Sequence, residues 1–213
     1  MKLRLFSYFR SSASYRVRIG LNLKKLDYEY IPVNLLKGEQ KLPQHLEKNP
    51  SGQIPCLELD GKFYNQSMAI FSLLDDLKTE PLLFTRDCFH KAKIIEICEL
   101  VNSGIQPLQN MNVLKELNSR FNADDAQKNA WAHHWNLEGL KSLEALISKT
   151  AREYAFHDTI TAADCFIQPQ LFSARRFNVD IKPFPVLARL ESAYSKIDAF
   201  ERAHPDNQPD TPK

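Results

Sequence analysis

Phe9-Arg10-Ser11-Ser12-Ala13-Ser14-Tyr15-Arg16-Val17-Arg18 is the stretch on which the fold turns. Ahead of it, residues 2–8 (KLRLFSY) alternate and carry aromatics, the pattern of a strand. Behind it, residues 14–25 set Val17, Ile19, Leu21 and Leu23 at helical spacings and close on Lys24 and Lys25. Basic residues suit the negative end of a helix dipole. The stretch is therefore a hydroxyl-rich turn from a strand into a helix. Residues 28–33 (YEYIPV) read as a second strand, which Pro32 confines to an edge or a strand end. A strand–helix–strand order of this length allows a right-handed crossover and a parallel pair.

Outward from there, residues 40–48 predict a short helix, and Asn49-Pro50-Ser51-Gly52 a loop. Residues 56–59 and 62–64 flank Asp60-Gly61, a strong hairpin signal. Residues 66–77 carry Ile70, Leu73, Leu74 and Leu77 on one helical face. These elements make a small mixed sheet with helices packed on it. Residues 79–86, with Pro81, lack periodicity and read as a linker. Beyond them strand signal is almost absent. Helices are expected over residues 89–117, 123–148, 161–177 and 185–197, the third opened by Thr161-x-x-Asp164, which resembles a capping box. The tail, residues 204–213, holds three prolines and is expected to be extended. The division is residues 1–80 (α/β) and 87–213 (all-α).

Composition excludes several classes. A mean hydropathy of −0.40 and 25% charged residues describe a globular, soluble chain rather than a disordered one. A formal net charge of +2 gives no footprint for bulk nucleic-acid binding. The six glycines form neither GxGxxG nor a P-loop, so a glycine cradle for nucleotides is not expected. Cys56, Cys88, Cys98 and Cys165 form no CxxC and sit in apolar or helical contexts, which favours buried free thiols in a reducing compartment. The N-terminus shows neither a signal peptide nor a membrane span, so a cytoplasmic protein is expected. His133 and His134 are adjacent and point to different sides of a helix. With no HExxH, no metal site is expected.

Three places carry chemistry. At Ser11-Ser12 the free N–H groups and positive dipole of a helix start would stabilise an anion, and a thiolate is one. The same serines also suit plain N-caps. Gln53-Ile54-Pro55-Cys56 puts a proline at the entry of a short strand. A cis bond there would turn the preceding backbone toward a peptide-like ligand, whereas a trans proline would be ordinary. Asn65-Gln66-Ser67 precedes a helix and suits a carboxylate, or again a cap. Arg175-Arg176 end a helix, where they either stabilise its dipole or capture a substrate carboxylate. The chain has no GxSxG and no cysteine at a clear helix start beside a base, so the nucleophile would come from a bound thiol.

Taken together, these pieces resemble the zeta class of the glutathione transferase superfamily over nearly the whole chain. Tyr8 to Ile19 is similar to the class signature SSCxWRVRI. Gly104-Ile105-Gln106-Pro107-Leu108-Gln109-Asn110 is similar to its GIQPLQN. Arg176-Phe177, His204-Pro205 and Gln208-Pro209-Asp210-Thr211-Pro212 match its C-terminal end. The resemblance implies a thioredoxin-like N-terminal domain that binds glutathione, an all-helical C-terminal domain that forms the electrophile pocket, and a homodimer. It implies glutathione as a cofactor, held by Ser11, Ser12, Gln40, Ile54 through its backbone, Pro55 as a cis-proline, Gln66, Ser67, Gln106 and Asn110. Ser11 and Ser12 would be catalytic, and Arg10 and Arg176 would meet an anionic unsaturated diketo acid. The implied activity is cis–trans isomerisation of maleylacetoacetate to fumarylacetoacetate in tyrosine and phenylalanine breakdown. The alternatives are a general glutathione transferase, a maleylpyruvate isomerase or a non-catalytic glutathione-binding protein. Ala13 stands where the class usually has Cys, Tyr15 where it has Trp, and His157 where it has Gly.

Overall fold

The computed structural model describes residues 1–212. They divide into two compact units, one made of residues 1–84 and 195–212, the other of Thr85–Tyr194.

In the first unit, strand β1 (Leu3–Ser7) is flanked by β2 (Glu29–Pro32) and β3 (Cys56–Leu59), and β3 pairs with β4 (Lys62–Asn65). The sheet order is β2-β1-β3-β4; the parallel β1–β2 pair and the antiparallel β3–β4 hairpin are as the sequence predicts, and β1 pairs antiparallel with β3 to join them. Central β1 is covered on both faces. Phe6, just before Tyr8 of the following turn, joins Val33, Ile54 and Cys56 in one cluster, while Leu3 and Leu5 face the other way by the two-residue period. Arg4 sits opposite Glu58 in register and bonds it at 2.6 Å. Pro32 ends the edge strand, where a missing N–H costs no ladder bond. Asp60 (φ 47) and Gly61 (φ 83) both take left-handed conformations, which suits a two-residue hairpin turn.

Helix α1 (Ser12–Leu23) begins two residues earlier than the apolar spacing suggests, with Ser11 as N-cap. Its Gly20 faces α3 (Ser67–Leu77). A Cβ there would stand 3.0 Å from Phe71 Cζ, so glycine permits the close approach. Lys24 does more than complement a dipole. It is wholly buried and bonds Asp75 at 2.5 Å together with the carbonyls of Lys78 and Pro81. Asp75 in turn accepts from the N–H groups of Leu83 and Phe84, so side-chain bonds hold the backbone of the segment expected to be a linker. The short helix expected over residues 40–48 is two pieces, a 3-10 turn Glu39–Lys41 and α2 (Pro43–Leu46), because Pro43 starts a helix of its own.

In the second unit the single helix expected over residues 89–117 is broken. Helix α4 (Cys88–Glu99) runs into a π-helical turn (Leu100–Ile105), a 3-10 turn (Gln106–Gln109) and then α5 (Met111–Phe121). Pro107 has no N–H to continue the ladder. The break also has tertiary support. Ile105 packs so closely on Gly139 of α6 (Asp125–Ile147) that a Cβ would lie 2.6 Å from its Cγ1. Helix α7 (Ala162–Arg176) is the buried one, and α8 (Pro185–Tyr194) is capped from α6, where Glu144 accepts from the N–H groups of Val186 and Leu187. Asp164 closes the expected capping box by accepting from Thr161 N at 2.8 Å. It also accepts from Ala155 N and from the Tyr194 hydroxyl. His157, where glycine was the class habit, has φ 63.

Two expectations fail at the C-terminus. Residues 195–212 group with the sheet, and the tail expected to be extended from residue 204 begins with a turn. The turn is the 3-10 turn Pro205–Asn207, and ahead of it stands helix α9 (Asp198–Ala203), for which the sequence reading gave no expectation. Asn22 and Arg18 of α1 supply the reason: each buries a donor that reaches a carbonyl of α9, Ala199 and Ala203 respectively. The cysteines also split. Cys56, Cys98 and Cys165 are buried, but Cys88 is exposed at the start of α4. Among the described residues no helix is long and apolar enough to cross a membrane.

Candidate active site

The turn from β1 into α1 places Ser11 and Ser12 at a helix start. Ser11 is extended (φ −69, ψ 116), and its Oγ accepts from Ser14 N at 3.2 Å. It is therefore the cap, as the plain alternative held. Yet an accepting hydroxyl still has one proton to donate, and here its position is fixed. Ser12 is the first helical residue and is mostly buried. Ala13, beside them, is half-buried, and Arg10 lies with its guanidinium 5.9 Å from the Phe9 ring centre.

The second place is the Ile54–Pro55 bond, which is cis. The carbonyl just before it, Gln53 O, is pinned at 2.9 Å by both His45 Nε2 and Asn49 Nδ2. Ile54 belongs to the cluster that holds Tyr8, so this loop and the turn ahead of Ser11 share one core. Gly52 (φ 59) abuts Gln40, whose carbonyl would lie 3.0 Å from a Cβ at that position. Gln40 is 5% exposed, and its side-chain oxygen has no partner among the described residues. A buried acceptor without a donor is uncommon in a folded protein and marks a place for a ligand or water.

The third place is the start of α3. Gln66 is exposed and takes φ 70, ψ 122, a conformation that non-glycine residues rarely adopt. Ser67 follows it, 3% exposed, and Arg16 Nη1 donates to its Oγ at 3.1 Å. The buried guanidinium thus holds the hydroxyl oxygen in place at the start of α3. In this unit Ile54 shares a core with Tyr8, three residues ahead of Ser11, Gln40 borders the loop before Ile54 at Gly52, and Arg16 of α1 bonds Ser67.

The remaining expected residues lie in the helical unit. Gln106 opens the 3-10 turn and is half-buried. Asn110 caps α5, its Oδ1 accepting from Asn112 N at 3.0 Å. Arg176 is exposed at the end of α7, its guanidinium 5.4 Å from the Phe177 ring centre. Arg175 is committed to Glu191. Among the described residues no three His, Cys, Asp or Glu side chains are placed to hold a metal. The Cys56 thiol is pushed up to about 12 by burial, against the pull of Lys48, which makes it a poor nucleophile.

The sequence reading gave no role to Arg16 or Arg18, although it quoted both. Their signal was available: two arginines inside an apolar helical run, each now 1% exposed or less.

Comparison with known proteins gives these features a setting. The family model "Glutathione S-transferase, N-terminal domain" matches residues 1–76. A Euphorbia esula protein named "Glutathione S-transferase zeta class" is 45% identical over 99% of this chain and 93% of its own. The crystal structure of maleylacetoacetate isomerase from Anaeromyxobacter dehalogenans 2CP-1, with bound GSH in the active site, is 42% identical with a TM-score of 0.89, covering 99% of this chain and 98% of that one. The holo structure of a maleyl pyruvate isomerase, described as a bacterial zeta-class glutathione S-transferase, superposes with a TM-score of 0.95 at 37% identity over the whole of both chains. Likeness of that extent, carried through both units, means that the chain belongs to the glutathione S-transferase family, in its zeta class.

Proposed function

We propose that this protein is a glutathione-dependent isomerase that converts maleylacetoacetate to fumarylacetoacetate. The observation that carries the reading is the start of α1, where a fixed serine hydroxyl and free helix N–H groups converge as an anion site. Gln40 supports the fit to a tripeptide thiol, since its orphaned buried oxygen suits an amide or ammonium donor. When bound, glutathione supplies the thiolate that adds to the cis double bond and leaves again after rotation about the resulting single bond.

The chain's own part is to hold charge and orient. Ser11 donates its hydroxyl proton to the sulfur while Ser14 N–H holds its oxygen in place. Ser12 adds a second hydroxyl and its N–H. Lowering the energy of the thiolate in this way keeps the nucleophile charged at neutral pH. Gln66 and Ser67 receive the carboxylate of the γ-glutamyl end, helped by the start of α3. Ile54 pairs through its backbone beside Pro55. Arg10 meets a substrate carboxylate. Gln106, Asn110 and Arg176 are assigned to cofactor and substrate on family resemblance. A cytoplasmic homodimer working in tyrosine breakdown accords with the same resemblance and with the free cysteines.

The test is glutathione-dependent loss of maleylacetoacetate absorbance, with fumarylacetoacetate identified as product. Glutathione binding without turnover would instead favour a binding protein. A second reading, maleylpyruvate isomerase, draws on the TM-score of 0.95 with such an enzyme. A higher kcat/KM for maleylpyruvate than for maleylacetoacetate would select it.

A further inference from the structure

We propose that Asp210 and Arg18 are positioning residues for the catalytic serines, with the C-terminal tail acting as a clamp on the turn that sets Ser11. The proposal rests on the function proposed above for those serines. It starts from one peptide group. The Tyr8 carbonyl accepts from Arg18 Nη1 at 3.3 Å, and the N–H on the other side of the same peptide, Phe9 N, donates to Asp210 Oδ2 at 3.0 Å. A peptide is planar, so bonds at both its ends fix its orientation. The Tyr8 carbonyl also accepts from Ser11 N at 3.0 Å, so the same plane sets the residue that caps α1.

Both partners are themselves held. Arg18 is wholly buried and spends its other donors on Phe9 O at 2.9 Å, Ser7 Oγ at 3.2 Å and Ala203 O of α9 at 3.0 Å. Asp210 uses its other oxygen to accept from the Tyr30 hydroxyl of β2 at 2.6 Å. Its stretch of tail is tied back on α9 by Gln208 Nε2, which donates to the carbonyls of Arg202 and His204, both at 2.8 Å. Burial pulls the Arg18 guanidinium below its ordinary value, and Asp210 is among the groups that oppose this. Neither residue needs to touch a reacting atom. Each acts through the backbone that aims the Ser11 hydroxyl, and small displacements of an aimed donor are costly in rate.

Asp210→Ala is the central variant. It should lower kcat roughly tenfold or more with KM for glutathione changed less than about twofold, and bound glutathione should show less thiolate absorbance at neutral pH. Asp210→Asn, which keeps an oxygen for Phe9 N–H and an amide that the Tyr30 hydroxyl can accept, should recover most of the loss. In a Ser11→Ala background Asp210→Ala should add less than about twofold, because residues acting through one group are not additive. Independent of any turnover, amide exchange at Phe9 should accelerate in Asp210→Ala while that of Leu5 in β1 does not.

Additive losses with Ser11→Ala, or unchanged Phe9 exchange, would overturn the clamp. So would a loss shared equally between Asp210→Ala and Asp210→Asn. If Asp210→Ala does not fold, Tyr30→Phe, which removes one of the bonds that orients the carboxylate, takes its place in the exchange and coupling measurements. Failure of the wild-type protein to isomerise maleylacetoacetate would count against the proposed function and leave the exchange result standing.

Discussion

Ser11 has an observed job and a proposed one, which a substitution can separate. Its oxygen caps α1, and its proton is assigned to the thiolate under the proposed function. Ser11→Ala removes both, so it should cost about 1 kcal/mol of stability and roughly a hundredfold in turnover. Ser11→Asp keeps an acceptor for Ser14 N–H but offers no proton and repels a thiolate. It should melt near the wild type and still fail to turn over, which steady-state kinetics beside a thermal melt would reveal. Equal turnover in Ser11→Asp and wild type would remove the serine from the mechanism. The thiols give a second residue-level check. Three of the four cysteines are buried, so a thiol reagent should label about one site, Cys88, in the native protein and all four after unfolding. Burial holds the Cys56 proton on to about pH 12, whereas the ordinary thiol loses it near 9. Between those values the unfolded chain binds fewer protons than the folded one. The Cys56 contribution to stability is therefore present below pH 9 and is lost as pH rises toward 12, visible as a falling denaturation midpoint. Most residues of the proposed site were legible at this scale as candidates, since Ser11, Pro55 and Ser67 each stand next to an element boundary that local chemistry marks. Arg18's place inside an apolar helical run marked it for burial, but its tie to Ala203, 185 residues away, and that of Asp210 to Phe9, 201 residues away, follow no local pattern.

The elements show where periodicity stops being enough. Apolar spacing runs smoothly through residues 89–117, yet the chain breaks at Leu100–Ile105 because Gly139 on α6 opens a slot that Ile105 fills. A contact between distant segments outweighs local helix preference there. The break is then locked by three buried amides in a ring: Gln109 Nε2 donates to Gln170 at 3.2 Å, Gln170 Nε2 to Asn136 at 2.6 Å, and Asn136 Nδ2 to Gln109 at 2.8 Å. Every member is satisfied only while all three are present. Asn136→Leu leaves a donor on Gln170 and an acceptor on Gln109 buried without partners, which should cost about 2–5 kcal/mol. A melting temperature within one degree of wild type would show the ring to be dispensable. The strands were easier to read. The hairpin at Asp60-Gly61 and the crossover from β1 to β2 depend on turn chemistry and chain length, both local, and their predicted pairing is the pairing observed.

At the scale of the whole chain, the division into units follows side-chain bonds and not sequence order. The composition shift near residue 80 is real, but it does not reveal that residues 195–212 return to the sheet. Helix α9 buries Ala199, Phe200 and Ala203 and supplies acceptors to Asn22 and Arg18. A chain ending at Tyr194 would lose this layer. Burying Phe200 alone contributes about 2 kcal/mol, and stripping partners from the buried Arg18 charge costs about 3–5 kcal/mol. Together these reach the lower end of a domain's whole stability, about 5–15 kcal/mol. The truncated chain should therefore lose protection in β1, β3 and α1 while α6 and α7, whose caps and amide ring lie within Thr85–Tyr194, stay protected. Hydrogen exchange resolved by segment would measure this, and retention on immobilised glutathione should vanish with the sheet. If instead both units of the truncated chain lose protection together, the helical unit depends on the sheet for its own folding, and the two melt as one cooperative body.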